Sequence, residues 1–506
     1  MTNGPNKDET PSFTDRRTSD DSNAQMPSPS AISEADTVFV TWDGGDDDPM
    51  NPRSFGKARK WVIVLIVSSA SFCVTATSSI YTSTYTQMEA EFGNSRIISV
   101  LGLSLFVLGL SCGPLFFSPL SEFYGRRPIY LVAWSLFVIW LIPQAVARNI
   151  ATVIVGRFLG GFSGSTFLAV SGGTVSDLFS KDELQYPMAI FTASPFIGPC
   201  IGPLIGGFVN YNLDWRWTYY VLLIWAFVMI LLIVFLVPET YHPILLRKKA
   251  RQLRKSPSNA HFKAPIEVSE KSIISSITMS LKRPFQLLFF ELMCLNLCIF
   301  SAILLGILYL FFGAFPLIFS ANYAFNLWQV GLSFLGIGVG LLIGIATDPI
   351  WRRIRVRLVS KLGEKSTATG ASEPEFRLPP AIAGSILVPI GLFMFAWTSY
   401  PEIHWIVPIL GSLIFGTGTI LVFTGIFTFL VDAYPEYAAS ALAANTFVRC
   451  LFAAIFPLFG SQMYERLGFQ WGSSLLAFLT VVMVPFPYLF FKYGKKIRAK
   501  SRFAKN

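Results

Sequence analysis

The sequence predicts an all-α polytopic membrane protein of twelve transmembrane helices, arranged as two six-helix pseudo-repeats. Three observations carry this prediction. First, hydrophobic residues make up 53% of the 506-residue chain and charged residues only 14%, a balance far from that of soluble domains. Second, the apolar residues fall in runs of about 20, enough to cross a ~30 Å hydrocarbon layer as helices. Third, a short charged loop occurs twice. In Glu122-Phe123-Tyr124-Gly125-Arg126-Arg127 an acid precedes a glycine and an arginine pair. In Asp348-Pro349-Ile350-Trp351-Arg352-Arg353 the order is the same, with tryptophan in the glycine's place. Each copy follows a long apolar run, as expected of two halves that share one loop between their second and third spans. Repeated halves are common in secondary transporters.

Residues 1–56 are polar, rich in Ser, Asp, Pro and Asn, and without periodicity; they are expected to form a disordered cytoplasmic tail. The tail lacks the apolar core of a signal peptide. Lys57, Arg59 and Lys60 precede the first apolar run and hold the N-terminus inside. Spans are expected at 61–80, 97–117, 129–147, 151–173, 187–209 and 218–237, and again at 285–313, 328–347, 380–399, 405–430, 438–460 and 471–492. The N-terminal half is thus 57–237 and the C-terminal half 285–492. Residues 238–284 read as a cytoplasmic linker with a basic amphipathic start, and 493–506 as a basic cytoplasmic tail. Arg126, Arg127, the basic cluster 247–255, Arg352, Arg353, Arg355 and Arg357 all fall in loops on the N-terminal side of the membrane, in keeping with the retention of basic loops in the cytoplasm.

Several residues stand out within the spans. The fifth carries Pro195, Gly198, Pro199, Gly202, Pro203, Gly206 and Gly207, a density that would break a soluble helix. In a membrane it gives a kinked helix with a small-residue face, read either as static close packing or as a bending element. Arg157 lies within the fourth apolar run and Arg449 within the eleventh; charge there needs a cavity or a partner. Arg157 is near enough to a span end to snorkel instead. Glu291 is the main acid of an apolar run, placed about six residues into the seventh span. It is read either as a proton-exchanging group that Arg449 could approach or as an acid at the span's cytoplasmic end. Tyr81, Asn296, Tyr309, Phe423, Phe427 and Asn445 are candidates to line a central cavity built from the first, fourth, seventh and tenth spans.

Taken together the motifs resemble the fungal twelve-span drug:proton antiporters of the major facilitator superfamily. The resemblance runs from about 43 to 491. It rests on Asp48-Pro49-Met50-Asn51-Pro52, the loop 122–127, Gly156-Arg157-Phe158-Leu159-Gly160-Gly161, the Pro/Gly pattern of 194–207, Trp215-Arg216-Trp217, Pro238-Glu239-Thr240-Tyr241, Pro374-Glu375-Phe376-Arg377-Leu378 and Asp432-Ala433-Tyr434. Ser118 stands where the superfamily pattern has Gly, and Glu122 where it has Asp. The resemblance implies the major facilitator fold and pairing of Arg126 with Asp177 in one conformation. By the repeat, Asp432 is expected to pair with Arg352 or Arg353.

The expected activity is proton-coupled export of small organic compounds such as toxins, antifungal drugs or secondary metabolites. Polyamine or other metabolite transport, uniport, or a non-transporting membrane sensor are the alternatives. No catalytic constellation accompanies the three histidines, so an enzyme is not expected. The six cysteines all sit in apolar runs and read as small buried hydrophobes, with no metal site and no cofactor. The expected partners are a small-molecule substrate, protons and the lipid bilayer. The basic balance suits membrane topology rather than nucleic acid. The chain is expected to be a monomer in the plasma membrane.

Overall fold

Backbone polar groups in a bilayer must be satisfied within the chain, and helices do this segment by segment. The computed structural model describes residues 38–180, 183–255, 262–268, 272–363, 373–499, 501 and 503. Among these, eleven stretches are long and apolar enough to cross a membrane. The last, Pro435–Arg498, runs for 64 residues and holds two spans. It turns at Gly468, where φ is 77° and ψ 169°, a backbone region open to glycine and costly for other residues. The first half therefore comprises Lys57–Ile80, Arg96–Tyr124, Arg126–Ala145, Ile150–Leu178, Gln185–Asn212 and Arg216–Leu236. The second comprises Leu292–Tyr323, Leu327–Lys361, Pro379–Thr398, Ile406–Ala433 and the two arms of Pro435–Arg498 on either side of Gly468. An even number of spans brings both chain ends to one side, the terminal face.

Packing repeats between the halves. The first span lies against the fifth and the seventh against the eleventh; the second lies against the fourth and the eighth against the tenth. Across the halves, the second meets the eleventh and the fifth meets the eighth, again one relation seen twice. Small residues make these contacts close. A Cβ on Gly109 of the second span would stand 2.7 Å from the backbone nitrogen of Phe162 in the fourth, and one on Gly416 of the tenth would stand 2.6 Å from the Ile337 carbonyl in the eighth. In lipid such close packing, rather than hydrophobic burial, holds helices together.

Two boundaries differ from expectation. The seventh span begins at Leu292, not 285, because the preceding residues end a separate amphipathic helix, Ile273–Phe290. That helix leaves Ile274, Phe289 and Phe290 exposed, as suits a helix lying along a bilayer surface. The eighth span runs on into the helix Asp348–Gly363 beyond the apolar part of its sequence.

The segment 38–56, expected to be part of a disordered tail, is ordered; residues 1–37 lie outside the described residues. Val38–Phe39 pairs in parallel with Phe262–Lys263 of the linker. Lys249, on the linker helix His242–Leu253, donates to Asp43 and Asp48 at 2.7 Å each and to the Thr41 carbonyl at 3.2 Å. Val40, Ala250 and Ala264 close a small apolar cluster beneath. Composition alone hid this strap, because its ligand, Lys249, lies about two hundred residues further along the chain.

Candidate functional site: terminal-face clasps and a central arginine

At the end of the second span the backbone at Gly125 has φ 98° and ψ 168°. The glycine admits this turn and leaves room for a carboxylate: a Cβ there would collide with Glu239. Glu239 accepts hydrogen bonds from the backbone N–H of Arg126 (2.9 Å), Arg127 (3.1 Å), Thr240 (3.0 Å) and Tyr241 (2.9 Å). It thus caps the third span, where orphan N–H groups and the helix dipole favour an anion. Held so, Arg126 reaches Asp177 at the end of the fourth span, Nε to Oδ2 3.4 Å. It also donates to Ser121 Oγ at 2.6 Å and lies over the Tyr241 ring at 4.6 Å. Arg127 donates to the Val234 carbonyl at 2.9 Å. Glu122 is exposed and makes no ion pair among the described residues.

The second half resolves its clasp differently. Asp432 is bound by Arg377 at 2.7 Å, with Arg355 at 3.7 Å, not by Arg352 or Arg353. The cause is local. Trp351 stands where the first copy has its glycine turn, so helix continues from Asp348 to Gly363 and carries the arginine pair past the membrane-side acid. Arg352 bonds Gln185 Oε1 across the halves, and Gln185 Nε2 donates to Asp348 at 3.3 Å. Arg353 is exposed. Nearby, Glu375 and Arg498 form a deeply buried pair at 2.8 and 2.9 Å, fixing the end of the twelfth span to the loop before the ninth.

The fifth span touches both halves along its length. A Cβ on Gly202 would meet the Ala76 carbonyl at 2.7 Å and the Ile80 nitrogen at 2.8 Å; one on Gly206 would meet the Ile80 carbonyl at 2.8 Å, and Gly198 abuts Phe72 and Thr75. These three glycines, one turn apart, seat the span on the first. The neighbouring row faces the eighth span: Gly207 packs on Leu327 and Trp328, and Gly331 on the Pro203 carbonyl. Pro195, Pro199 and Pro203 lie inside the helix, each removing one ladder hydrogen bond. The Phe191 carbonyl, freed by Pro195, accepts Ser194 Oγ at 2.8 Å.

Arg157 does not snorkel. It is fully buried and donates to the carbonyls of Thr77 (2.7 Å), Ser78 (2.8 Å) and Gly102 (3.3 Å). The first span tightens to a 3-10 turn at Tyr81–Thr84, and such a change of ladder leaves carbonyls open to a side-chain donor. Tyr81 and Phe106 flank the guanidinium at 4.5 and 4.1 Å. Tyr81 therefore packs inside the first half, against Gly102 and Arg157, rather than lining a cavity between the halves.

Between the halves, Tyr309 Oη meets Ser78 Oγ at 2.9 Å, and Ser111 Oγ donates to the Phe447 carbonyl at 3.3 Å. Asn445 donates to Ser301 at 2.7 Å. Arg449, one turn on, sits against Phe196, Phe423 and Phe427 at 5.5, 5.3 and 4.9 Å. Asn296 lies elsewhere, in a groove with Leu292, Phe486, Phe490 and Tyr493 beside the twelfth span. Glu291 is not inside the seventh span. It is that helix's N-cap, with φ −114° and ψ 93°, and it accepts Tyr434 Oη at 3.2 Å and Ser501 Oγ at 2.7 Å. It does not pair with Arg449. A carboxylate beside an apolar run reads as part of the run; only the helix break shows that it starts it.

Two related six-helix bundles, packed by matching pairs and joined by one long linker, form the fold of a membrane carrier. The Major Facilitator Superfamily profile matches residues 67–457, and the chain belongs to that superfamily. The efflux pump atB of Aspergillus terreus is 53% identical over 471 residues, spanning 93% of this chain and 91% of that protein. The probable drug/proton antiporter YHK8 of Saccharomyces cerevisiae is 43% identical over 468 residues, 92% of this chain and 90% of that one. Among solved structures, the partially occluded inward open xylose transporter XylE from E. coli is similar in fold. Its TM-score is 0.60 at 16% identity, over 86% of this chain and 99% of that one.

Proposed function

We propose that this protein exports small organic compounds in exchange for protons. It would do so from the plasma membrane, as a monomer with both termini in the cytoplasm. The observation that carries this reading is the match, over nine-tenths of the chain, to proteins named as an efflux pump and as a drug/proton antiporter. In this reading the halves 57–237 and 285–492 rock about the linker 238–284. Arg126–Asp177 and Arg377–Asp432 clasp the terminal face when the cavity opens to the other side, with Gln185 tying Asp348 and Arg352 across the halves. The fifth span bends at its prolines and slides on its glycines. Glu291 is the proton-exchanging acid. Tyr434 and Ser501, which donate to it, are neutral hydroxyls, and opening of the terminal face would part it from both and admit water.

Cells expressing the protein should retain less of a lipophilic fluorescent dye than cells without it, and an uncoupler should erase that difference. A difference that survives collapse of the proton gradient would overturn proton coupling.

A further inference from the structure

Arg157 and Arg498, the arginines buried outright among the described residues, are matched to acceptors. Arg157 has three carbonyls, and Arg498 has the Glu375 carboxylate. Arg449 has neither. Its Nε and Nη1 are shut off from solvent without a hydrogen-bond partner, and it makes no ion pair among the described residues. Its surroundings are three phenyl rings. Phe423 and Phe427 are parallel to within 1° with centroids 5.8 Å apart, and Phe196 stacks on Phe423 at 5.1 Å. Ring faces attract the guanidinium but leave its fork of donors without the planar acceptor it fits best. The chain's own acid, Glu291, is held by Tyr434 and Ser501.

The position is reachable. Arg449 and Phe427 are only partly buried, and Phe196 and Arg449 come from opposite halves. One helical turn away, Asn445 has a second unused group. Its amide nitrogen is tied to Ser301 at 2.7 Å, while its Oδ1 is buried and unpartnered. The site therefore offers cationic donors, one neutral acceptor and a stack of aromatic faces.

We propose that Arg449 recognises an anionic group on the substrate, and that the protein takes aromatic carboxylic acids in their ionised form. The carboxylate bonds the guanidinium fork, the ring of the acid joins the Phe196–Phe423–Phe427 stack, and Asn445 Oδ1 accepts a hydroxyl or amide N–H of the same molecule. This inference rests on the reading of the chain as an exporter of organic compounds.

The test compares naphthoate with naphthamide, which keeps the rings and loses the charge, for binding to the purified full-length protein in lipid. Wild type should bind naphthoate about tenfold more tightly or better, as a charge-assisted pair allows. Arg449→Gln should remove that preference and leave naphthamide binding unchanged; Arg449→Lys, a point charge without the fork, should keep part of it. Phe427→Leu should weaken both probes. Equal binding of the two probes by wild type, or a preference that survives Arg449→Gln, would overturn the proposal. The wild-type comparison decides the matter even where a variant fails to fold. Naphthoate preference without proton-driven transport would keep this site and remove the exporter reading. Proton-driven export of neutral dyes with no naphthoate preference would do the reverse.

Discussion

Arg126 shows how one residue's role is assembled from distant parts. Gly125 turns the chain, Glu239 caps the helix that follows, and the guanidinium is left facing Asp177, Ser121 and Tyr241. Arg126→Ala or Asp177→Ala should lower transport while leaving membrane insertion intact. A charge-assisted contact of this kind contributes about 1.5–3 kcal/mol, enough to shift a balanced two-state carrier strongly toward its opened terminal face. The swap Arg126→Asp with Asp177→Arg should restore only part of the activity, because Ser121 and Tyr241 lose their partner. Wild-type transport rates in both single variants would remove the clasp. The pairing was implied by the family resemblance, whereas the cap was not. Glu239 lies 113 residues from Arg126, and no local pattern links a carboxylate to a helix start at that distance. The second clasp misled for a related reason: the arginine pair repeats, but the glycine turn that aims it does not.

At the scale of elements, the fifth span is where sequence pattern and packing agree most closely. Its glycine spacing announced a close-packed face, and Gly198, Gly202 and Gly206 do press on the first span's backbone. The pattern could not say that the adjacent row, through Gly207, would meet the other half. Gly202→Ala should destabilise the protein by about 1–3 kcal/mol, since backbone atoms cannot yield as side chains do. A fall in the thermal midpoint in detergent would register it, and an unchanged midpoint would show that the helices can part freely. The strap formed by 38–56 was not legible at all. Lys249, donating to Asp48, holds that carboxyl below its ordinary value of 3.8. The pair's contribution is therefore complete above that value and lost as pH falls through the lowered one. A spin label on Val38→Cys should be immobile at neutral pH and become mobile on strong acidification; in Asp48→Asn it should be mobile throughout. A label equally mobile in wild type at neutral pH would show that the strap is not held.

For the whole molecule, the repeated loop foretold two halves, and the matched pairings of first with fifth and seventh with eleventh bear that out. Span number was legible because hydrophobic runs of bilayer length have few other readings. The centre between the halves was less so. Tyr309, Phe423, Phe427, Asn445 and Arg449 gather there, but Tyr81 turns into its own half and Asn296 toward the twelfth span, since helical facing cannot be read from runs that are apolar all round. We propose alternating access coupled to protons, with Glu291 exchanging the proton at the terminal face. The direct measurement is substrate flux in proteoliposomes under an imposed pH gradient, for wild type and Glu291→Gln. Wild type should move substrate against its gradient toward the acidic side, with a rate that depends on pH. Glu291→Gln should bind substrate and fail to accumulate it. Gradient-driven accumulation with unchanged pH dependence in Glu291→Gln would contradict the account.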